Sequence, residues 1–590
     1  MKKIFTYFKP YKWQALLGPL FKLLEATFEL LVPIIVGLIV DKGLGALVDG
    51  KYPNADKGYI AWMCAILGAF GLFGLLFSVV AQYFAARTAT GVSAVLRREL
   101  FQKITSLSYR DLDRLGSSTM LTRMTGDVDR FQSGVNLALR LFLRSPFIVF
   151  GAVITACIVA PSSFGVFAIT VVVLAIVVYA VMFACMPLYK KSQANLDDVL
   201  LSTRENLSGV RVIRAFCKED DERDLFAKRN ETLNKSRKFV GAIAAITNPL
   251  TYVLVNLGII ALLWTGAIRV EAGSLTQGQV LALYNLMSQI LIELIKLANL
   301  IVTVTKAAAC GSRIEAVLNM QPSLRAETDK TGDEKAAGIE NTGDSGAFIA
   351  FEDVTAIYND GADAALENVT FCVARGERIG VIGGTGSGKT TLVNLIPRFY
   401  DVSSGAVKID GKNVKYGDLT RLRERIGVVP QKALLFKGTV RENLLWGRAD
   451  ATDEELYAAL KIAQAEEFIR EKGGLDATVE QGGKNFSGGQ KQRLTIARAL
   501  VRKPEILILD DSASALDYAT EAELRAELDK LETTVFTVSQ RASSVKNADK
   551  IVVLDEGKVV GLGKHGELFE SCEVYREICL SQMQTEGKAV

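Results

Sequence analysis

Six apolar stretches, each long enough to cross a lipid bilayer as a helix, occupy the first half of this 590-residue chain. A helical span needs about 20 predominantly apolar residues, and all six stretches precede residue 310. Hydrophobic residues make up 49% of the chain, which is high for a soluble protein. We therefore predict a six-span, all-α membrane domain, with spans from Leu16 to Val40, Tyr59 to Tyr83, Leu137 to Ala160, Phe164 to Met186, Ala242 to Ala267 and Val280 to Val304.

Basic residues are concentrated in alternate connections between these stretches. The N-terminus, residues 87–130 and residues 190–238 are rich in lysine and arginine, whereas the other connections are short and weakly charged. By the positive-inside rule the basic segments are cytoplasmic. We predict a multi-pass protein of the cell membrane with both termini in the cytoplasm. The net charge of +4 is too small and too dispersed to indicate a nucleic-acid partner.

The composition changes after the last apolar stretch. Residues 320–346 are rich in small, polar and charged residues and read as a linker. Beyond it, short β-branched runs alternate with helix-like segments, which is typical of an α/β sheet. We predict strands at Arg378 to Ile382, Arg425 to Val429, Ile506 to Leu509, Thr534 to Val538 and Lys550 to Leu554. The predicted domains are 1–317, a linker at 318–347, and 348–590.

A phosphate-binding loop follows the first of these predicted strands. The sequence of this loop matches the pattern G-x-x-x-x-G-K-[ST] and leads into a predicted helix. In such a loop, backbone N–H groups and the lysine bind phosphates, and the hydroxyl of the residue after the lysine binds Mg²⁺. Asp510 ends the run Ile506 to Leu509, where a carboxylate holds the Mg²⁺ shell. The predicted loop residues are Gly383, Gly384, Thr385, Gly386, Ser387, Gly388, Lys389 and Thr390, with Thr391 next.

A second motif identifies the kind of ATPase that the chain resembles. Ser487, Gly488, Gly489 and Gln490 open a helix-like segment, KQRLTIARAL. With six spans on the same chain, this motif resembles the signature of the ABC transporter family, and the whole chain resembles an ABC exporter half with an α/β P-loop nucleotide-binding domain. The resemblance implies that Tyr358 stacks on adenine, Gln431 senses Mg²⁺ and the membrane domain, and Asp517 belongs to the D-loop. It also implies ATP and Mg²⁺ as cofactors, and two such domains paired head to tail.

Two positions depart from the family pattern at the groups that handle the attacking water. Asp511 stands where the family has a catalytic glutamate, and Gln540 stands where it has a switch histidine. The only histidine, His565, lies outside that place and is interpreted as structural. Losing a positioned acid or base group costs about 10² to 10⁴ in rate. We expect this chain to bind ATP well, hydrolyse it poorly, and pair with a sister half that carries the consensus Glu and His.

Polar residues are spaced along two predicted spans. Those in the sixth span recur every three or four residues and share one helix face; those in the first span form a similar stripe. Charged groups inside a membrane are costly unless they face a cavity or form pairs. A cavity for a small amphipathic substrate and ion pairs between spans are both consistent with the spacing. The predicted cavity residues are Glu25, Glu29, Asn285, Gln289, Glu293 and Lys296.

The same motifs are also consistent with two other functions. A homodimeric exporter with slow ATP hydrolysis, and an ATP-gated channel or regulatory subunit, would carry the same motifs. The six spans argue against a soluble ATPase of DNA repair. An importer is disfavoured because importers commonly carry their membrane and ATPase domains on separate chains.

Overall fold

The computed structural model describes residues 2–44, 56–161, 164–324, 347–358 and 363–586. Contacts between residues divide the chain into two units. The first unit runs to Thr105 and from Ser117 to Met320; the second contains Ser106 to Gly116 and the residues after Met320. Most of the predicted linker, residues 325–346, lies outside the described residues.

All regular secondary structure in the described residues of the first unit is helical. Short π-helical turns at Ile39–Leu44 and Arg123–Asp127 follow or join its helices. The helices up to Asn319 are α1 Lys2–Thr6, α2 Lys12–Leu38, α3 Lys57–Ser106, α4 Tyr109–Leu115, α5 Ser117–Thr122, α6 Val128–Leu141, α7 Arg144–Val159, α8 Phe164–Ser208, α9 Val210–Ala215, α10 Glu219–Glu271 and α11 Gln277–Asn319. Of these, α4 belongs to the second unit.

The prediction of six membrane spans is confirmed. Among the described residues, six helical segments are long and apolar enough to cross a bilayer, and each matches one predicted span, the third ending one residue before the predicted Ala160. Several are much longer than a bilayer requires: α10 has 53 residues and α3 has 50. At 1.5 Å per residue, a 50-residue helix is about 75 Å long, against a hydrocarbon core of about 30 Å. The helices therefore continue well beyond the lipid.

The third span is not the continuous helix that the sequence predicted. A turn at Phe142 and Leu143 separates α6 from α7. Pro146 lies in the first turn of α7, where its missing N–H breaks no helical hydrogen bond. A helix therefore restarts here, and Arg144 and Ser145 lie at the break, both buried.

The second unit is built on a six-stranded sheet in the order β12-β11-β3-β10-β9-β6. All neighbouring pairs are parallel except β11 with β12. The strands of the unit are β1 Ile349–Ala356, β2 Leu366–Val373, β3 Arg378–Gly383, β4 Ser404–Ile409, β5 Lys412–Asn413, β6 Ile426–Val429, β7 Gly438–Thr439, β8 Thr478–Val479, β9 Ile506–Asp510, β10 Thr534–Val538, β11 Lys550–Asp555 and β12 Lys558–Gly563. All five predicted strands belong to this sheet, so the expected α/β domain is confirmed.

Helices cover both the sheet and the loops that follow its strands. They pack through three buried apolar clusters, one of which includes Ile379, Ile508 and Phe536 from the central strands. The helices are α12 Lys389–Leu395, α13 Leu419–Glu424, α14 Val440–Leu445, α15 Asp453–Ile462, α16 Glu466–Glu471, α17 Gly488–Val501, α18 Tyr518–Leu528, α19 Ala542–Val545, α20 His565–Ser571 and α21 Glu573–Glu586.

A second sheet was missed by the sequence prediction. It has four strands in the order β2-β1-β4-β5, and its pairs are antiparallel. Strand β2 has the burial pattern of a sheet with one covered face, buried and exposed residues nearly alternating. Antiparallel sheets commonly have one solvated face, so their strands lack the continuous apolar runs that mark the parallel strands.

Candidate nucleotide-binding site

The phosphate-binding loop joins the carboxyl end of β3 to the first residue of α12. Gly386 and Gly388 have φ values of +86° and +93°, a backbone conformation that favours glycine. A Cβ at Gly388 would also lie 2.5 Å from the carbonyl oxygen of Ala365. By contrast, a Cβ at Gly384 or Gly386 would meet nothing within 4 Å. The loop is therefore held tightly at Gly388 and is open at the glycines where a ligand would approach.

Lys389, at the end of this loop, is hydrogen-bonded to the beginning of the loop. Its Nζ donates hydrogen bonds to the carbonyl oxygens of Gly383 and Gly384, at 2.9 and 2.6 Å. The residue is only 8% exposed, and burial lowers the pKa of its ammonium group. The lysine is thus positioned inside the loop, with its charge poorly solvated. An incoming phosphate would relieve that cost.

Asp510 and Thr390 supply the oxygen atoms of the predicted metal position. The Thr390 hydroxyl donates to Oδ1 of Asp510 at 3.1 Å. Asp510 is buried, and burial, together with the nearby charge of Asp511, raises the pKa of its carboxyl group. Mg²⁺ prefers oxygen ligands and commonly takes one or two carboxylates together with substrate phosphates. The hydroxyl and the poorly neutralised carboxylate therefore fit Mg²⁺.

Asp511 and Gln431 meet beside this position. Asp511 has a φ of +48° and donates its N–H to the carbonyl oxygen of Val538 at 2.9 Å. Its Oδ2 accepts a long hydrogen bond of 3.4 Å from Nε2 of Gln431. Asp511, at the position of the group that orients the attacking water, is thus hydrogen-bonded to Gln431, the residue predicted to sense Mg²⁺.

Gln540 lies just beyond β10, which runs between β3 and β9. Val538 of this strand pairs with Val381 on one side and with Asp510 on the other. The end of β10 is therefore next to the phosphate-binding loop. The Gln540 side chain is exposed and has no hydrogen-bond partner within the described parts of the chain. Its side chain is free to turn toward a ligand.

Tyr358 contacts a second tyrosine that the sequence analysis did not identify. The Tyr358 hydroxyl donates to Oγ1 of Thr391 at 2.9 Å, and its ring packs edge-on against Tyr400, with centroids 4.9 Å apart. Burial and the carboxylate of Asp113 raise the pKa of the Tyr400 hydroxyl. No spacing rule links residues 358 and 400, because the two meet only through the packing of the sheets.

The segment of α4 belongs to the same aromatic group. Tyr400 donates its hydroxyl to Oδ2 of Asp113 at 2.7 Å. Tyr109 packs on Phe399 with ring centroids 4.5 Å apart. Arg110 lines a cavity of about 110 Å³ beside Tyr358 and Tyr400. The loop between α3 and α5 thus reaches the predicted adenine-stacking residue through two contacts.

The signature residues form the beginning of α17. Ser487 is its N-cap: its Oγ accepts from the N–H of Gln490, and the Gln490 side chain accepts from the N–H of Ser487, at 3.3 and 3.1 Å. The four N–H groups at a helix start lack partners within the helix, and together with the helix dipole they favour anions. A Cβ on Gly489 would lie 2.9 Å from the carbonyl oxygen of Ala515, so the missing side chain at Gly489 allows the signature to approach the loop that contains Ala515.

The side-chain hydrogen bonds of Asp517 are all local among the described residues. It caps α18 by accepting from the N–H and the hydroxyl of Thr520, at 3.1 and 2.8 Å. Within the described parts of the chain, neither Asp517 nor Ser487 makes a hydrogen bond to the phosphate-binding loop of the same chain. The two halves of the predicted site are therefore separate within one chain.

The polar residues of the membrane unit form a network of ion pairs. Glu293 accepts from Arg144 Nη1 at 2.6 Å, from Lys296 Nζ at 2.8 Å and from Ser145 Oγ at 2.8 Å. Arg144 also donates through Nη2 to Glu29 Oε2 at 2.5 Å. The side chains of Glu293 and Arg144 are 3% and 8% exposed. This arrangement ties α2, α7 and α11 together.

The remaining predicted cavity residues lie at the edge of this network. Glu25 pairs with Lys22 at 2.5 Å. The Gln289 side chain donates to the carbonyl oxygen of Glu29 at 3.2 Å. Asn285 is half-buried and makes no side-chain hydrogen bond in the described segments. The alternative of ion pairs between spans is therefore realised for Glu29 and Glu293, and a substrate role for these six residues stays a prediction.

Comparison with known proteins identifies the family. The family model for the ABC transporter transmembrane region matches residues 15–294, and the ABC transporter model matches residues 366–514. An uncharacterized ABC transporter ATP-binding protein of Bacillus subtilis, YfiB, is 34% identical, with 100% of this chain and 99% of that protein covered. The chain belongs to the ABC transporter family. Both the membrane-domain and the ATPase predictions are thereby confirmed at the level of the family.

Two further comparisons place this ABC transporter among exporters. An ATP-dependent lipid A-core flippase of Hahella chejuensis is 30% identical, with 96% of this chain and 97% of the flippase covered. A solved structure of a bacterial Atm1-family ABC exporter with ATP bound has the same fold, with a TM-score of 0.77, 22% identity and 98% of each chain covered. The transporter is an exporter half: one membrane region and one ATPase domain on a single multi-pass chain.

Proposed function

We propose that this ABC transporter is the weakly hydrolytic half of a heterodimeric, ATP-driven exporter. The proposal rests on the contrast between two sets of residues. The loop that would hold ATP and the signature that would serve a partner are both intact, whereas Asp511 and Gln540 replace the two groups that would handle the attacking water. A chain that had lost its ATPase role altogether would have no reason to keep the first set.

In this proposal the chain's own loop binds ATP firmly. Lys389 and the loop N–H groups bind the phosphates, Tyr358 stacks on the adenine, and Thr391 contributes its hydroxyl. Thr390, Asp510 and Gln431 would hold Mg²⁺, which neutralises phosphate charge when bound. Because none of these residues departs from the family pattern, ATP affinity is expected to be ordinary.

Hydrolysis at that loop is expected to be slow for a geometric reason. Asp511 is one methylene shorter than glutamate, so its carboxylate cannot reach the same point above the γ-phosphate. Gln540 can donate a hydrogen bond, but unlike histidine it cannot become cationic. Each loss of a positioned acid or base group costs about 10² to 10⁴ in rate, which corresponds to roughly 3 to 5 kcal/mol of activation barrier.

The signature of this chain would complete the other site. Ser487 and the first N–H groups of α17 are exposed and form a helix N-terminus, which is suited to phosphate. A sister half carrying the consensus glutamate and histidine would bring its own phosphate-binding loop to that surface. Turnover would then occur mainly on the sister's loop.

The domain boundaries and the transport direction follow from the same proposal. Residues 1–317 would form the transmembrane domain, 318–347 the linker and 348–590 the nucleotide-binding domain, with both termini in the cytoplasm. The lipid A-core flippase among the relatives supports an amphipathic substrate. Closure of two ATP-bound domains would favour an outward-open membrane domain, and hydrolysis would release it.

The test is a comparison of equivalent mutations in the two halves. The chain is purified from its own organism with a tag, the copurifying half is identified by mass spectrometry, and the pair is co-expressed. Asp511→Ala is expected to lower ATP turnover less than threefold. Replacing the sister's catalytic glutamate with alanine is expected to lower turnover at least 100-fold, in line with the cost of losing a positioned base. Steady-state ATPase activity in nanodiscs measures both.

The same preparations distinguish the alternatives. Equal losses from the two mutations would reject the unequal assignment, and brisk ATPase and transport by this chain alone would favour the homodimer. An ATP-gated channel would show ATP binding and substrate flux without accumulation against a gradient in sealed vesicles. The proposed pair requires uphill accumulation.

A further inference from the structure

A cavity of about 730 Å³ lies in the membrane unit between α8, α10 and α11. Its walls are formed by residues between Val181 and Gln193 on α8 and between Ile295 and Lys306 on α11, with Ala244 contributed by α10. Known sites for drug-sized molecules have volumes of about 300–1,000 Å³. None of the six polar residues predicted for the substrate cavity lines it. The network around Glu293 lies nearer the start of α11.

The lining of this cavity is apolar at one end and basic at the other. Val181, Met186 and Val302 are among its apolar residues, and Lys190 and Lys306 are its charged residues. No acidic residue contributes to the lining. Within the described residues neither lysine has an ion-pair or hydrogen-bond partner. The nearby carboxylate of Asp197 accepts instead from Gln193, at 3.2 Å. Both lysines therefore offer uncompensated positive charge.

The order of these residues along the helices matches the polarity of one membrane leaflet. Counted from the start of α8, Val181 lies about 26 Å and Lys190 about 39 Å along the axis. Counted from the start of α11, Ile295 lies about 27 Å and Lys306 about 44 Å along it. A hydrocarbon core is about 30 Å thick, and the headgroup regions bring the bilayer to about 40–45 Å. With the proposed cytoplasmic ATPase domain, the apolar lining lies at the depth of inner-leaflet acyl chains and the lysines lie at the headgroups.

From this geometry we propose that the cavity holds a phospholipid with an anionic headgroup, taken from the inner leaflet. The two unpaired lysines bind the phosphate-bearing headgroup, and the apolar walls of α8 and α11 contact an acyl chain. Basic pockets between spans on the cytoplasmic side bind anionic headgroups in other membrane proteins. The side chains of Met186, Tyr189 and Lys190 are exposed, so the lipid enters sideways and its second chain stays in the bilayer. The inference rests on the proposed cytoplasmic orientation but not on unequal hydrolysis.

The test measures lipid retained by the transporter purified together with its partner half. The pair is reconstituted in nanodiscs containing phosphatidylcholine with one fifth phosphatidylglycerol, extracted, and analysed by native mass spectrometry. Wild type is expected to retain phosphatidylglycerol in preference to phosphatidylcholine. The double variant Lys190→Gln/Lys306→Gln is expected to retain at least fivefold less. Lys191→Gln is the matched control, because Lys191 adjoins Lys190 on α8 but does not line the cavity.

A second variant tests the apolar part without changing charge. Val302→Trp fills the cavity from α11 and is expected to lower phosphatidylglycerol retention as well. Equal phosphatidylglycerol retention by wild type and the double variant would overturn the proposal. Equal losses of phosphatidylglycerol in the double variant and in Lys191→Gln would also overturn it, because they would indicate general attraction to the basic surface. If the partner half fills the cavity instead, wild type retains no lipid, which also overturns the proposal. Because lipid retention needs no ATP turnover, these outcomes are independent of the ATPase comparison.

Discussion

Asp511 occupies a position where backbone and side chain are both constrained. Its φ of +48° lies in the left-handed region, which is uncommon for residues other than glycine. The bond from its N–H to the carbonyl of Val538 fixes the backbone to β10. A longer side chain at this position would start from the same fixed point. Restoring the missing methylene is therefore a well-defined experiment.

We expect the double substitution Asp511→Glu/Gln540→His to create hydrolytic activity at this chain's own loop. The test is made in a pair whose sister half carries alanine in place of its catalytic glutamate, so that only this site can turn over. Turnover is expected to rise about 100-fold above that background, the lower end of what a positioned base contributes. ATPase activity measures the gain.

Lys389→Ala added to the same double variant is the control. It is expected to abolish the gained activity, because Lys389 is the cation placed within the phosphate-binding loop. An unchanged rate in the double variant would contradict the idea that residues 511 and 540 limit hydrolysis.

At the scale of elements, the membrane unit is joined by charge as well as by apolar packing. The broken third span places Arg144 where it pairs with Glu29 on α2 and Glu293 on α11. Counted from the start of α11, Glu293 lies about 24 Å along the helix, which is inside a hydrocarbon core of about 30 Å. An unpaired carboxylate at that depth would be costly.

Arg144→Met is therefore expected to destabilise the membrane unit strongly. Breaking a buried pair by removing one partner costs about 3–5 kcal/mol in soluble proteins. Lys296 and Ser145 would remain on Glu293 but leave it short of one charged donor. Thermal unfolding in detergent, followed by intrinsic fluorescence, should show a clear fall in midpoint.

Arg140→Met provides the matched comparison. Arg140 lies one turn earlier and has no ion pair within the residues that the structure describes. Its replacement is expected to change the unfolding midpoint little, and Arg144→Met/Glu293→Gln is expected to recover part of the loss. Similar falls for Arg140→Met and Arg144→Met would argue against a specific network.

At the scale of the whole molecule, a segment of the chain that precedes the third span belongs to the second unit. Residues Ser106 to Gly116 belong to that unit by their contacts. Asp113 and Tyr109 of this segment meet Tyr400 and Phe399, and Tyr400 in turn packs against Tyr358. This path connects the loop between two spans with the residue proposed to stack on adenine.

Tyr400→Phe is expected to weaken communication between substrate and ATPase while ATP binding persists. The change removes the hydroxyl that donates to Asp113 but keeps the ring against Tyr358. Substrate-stimulated ATPase activity should fall several-fold relative to basal activity. Measuring basal rate, stimulated rate and ATP affinity in one preparation separates coupling from binding.

Asp113→Asn should show the same pattern, since it removes the charge of the acceptor. Tyr416→Phe is the control, because Tyr416 is exposed and its hydroxyl has no partner in the described parts of the chain. A normal stimulated-to-basal ratio in Tyr400→Phe would contradict a coupling role for this contact.

The sequence predicted the features that depend on local pattern. Six apolar stretches and five β-branched runs each matched an observed span or strand, because a bilayer and a parallel sheet both require uninterrupted apolar residues. The antiparallel sheet escaped prediction because strands with one solvated face carry a weaker pattern. The break before Arg144 was also missed, although Pro146 was a local signal for it.

The sequence by itself therefore determined which residues could bind a nucleotide, where the chain could cross a membrane, and which two water-handling groups differ from the family pattern. Only the tertiary structure decided that Tyr400 joins Tyr358 to Asp113, that Arg144 pairs with both Glu29 and Glu293, and that two lysines share one cavity. The physical reason is distance along the chain. Motif spacing is local, whereas these contacts join residues more than 40 positions apart, brought together by burial of apolar surface that no short pattern specifies.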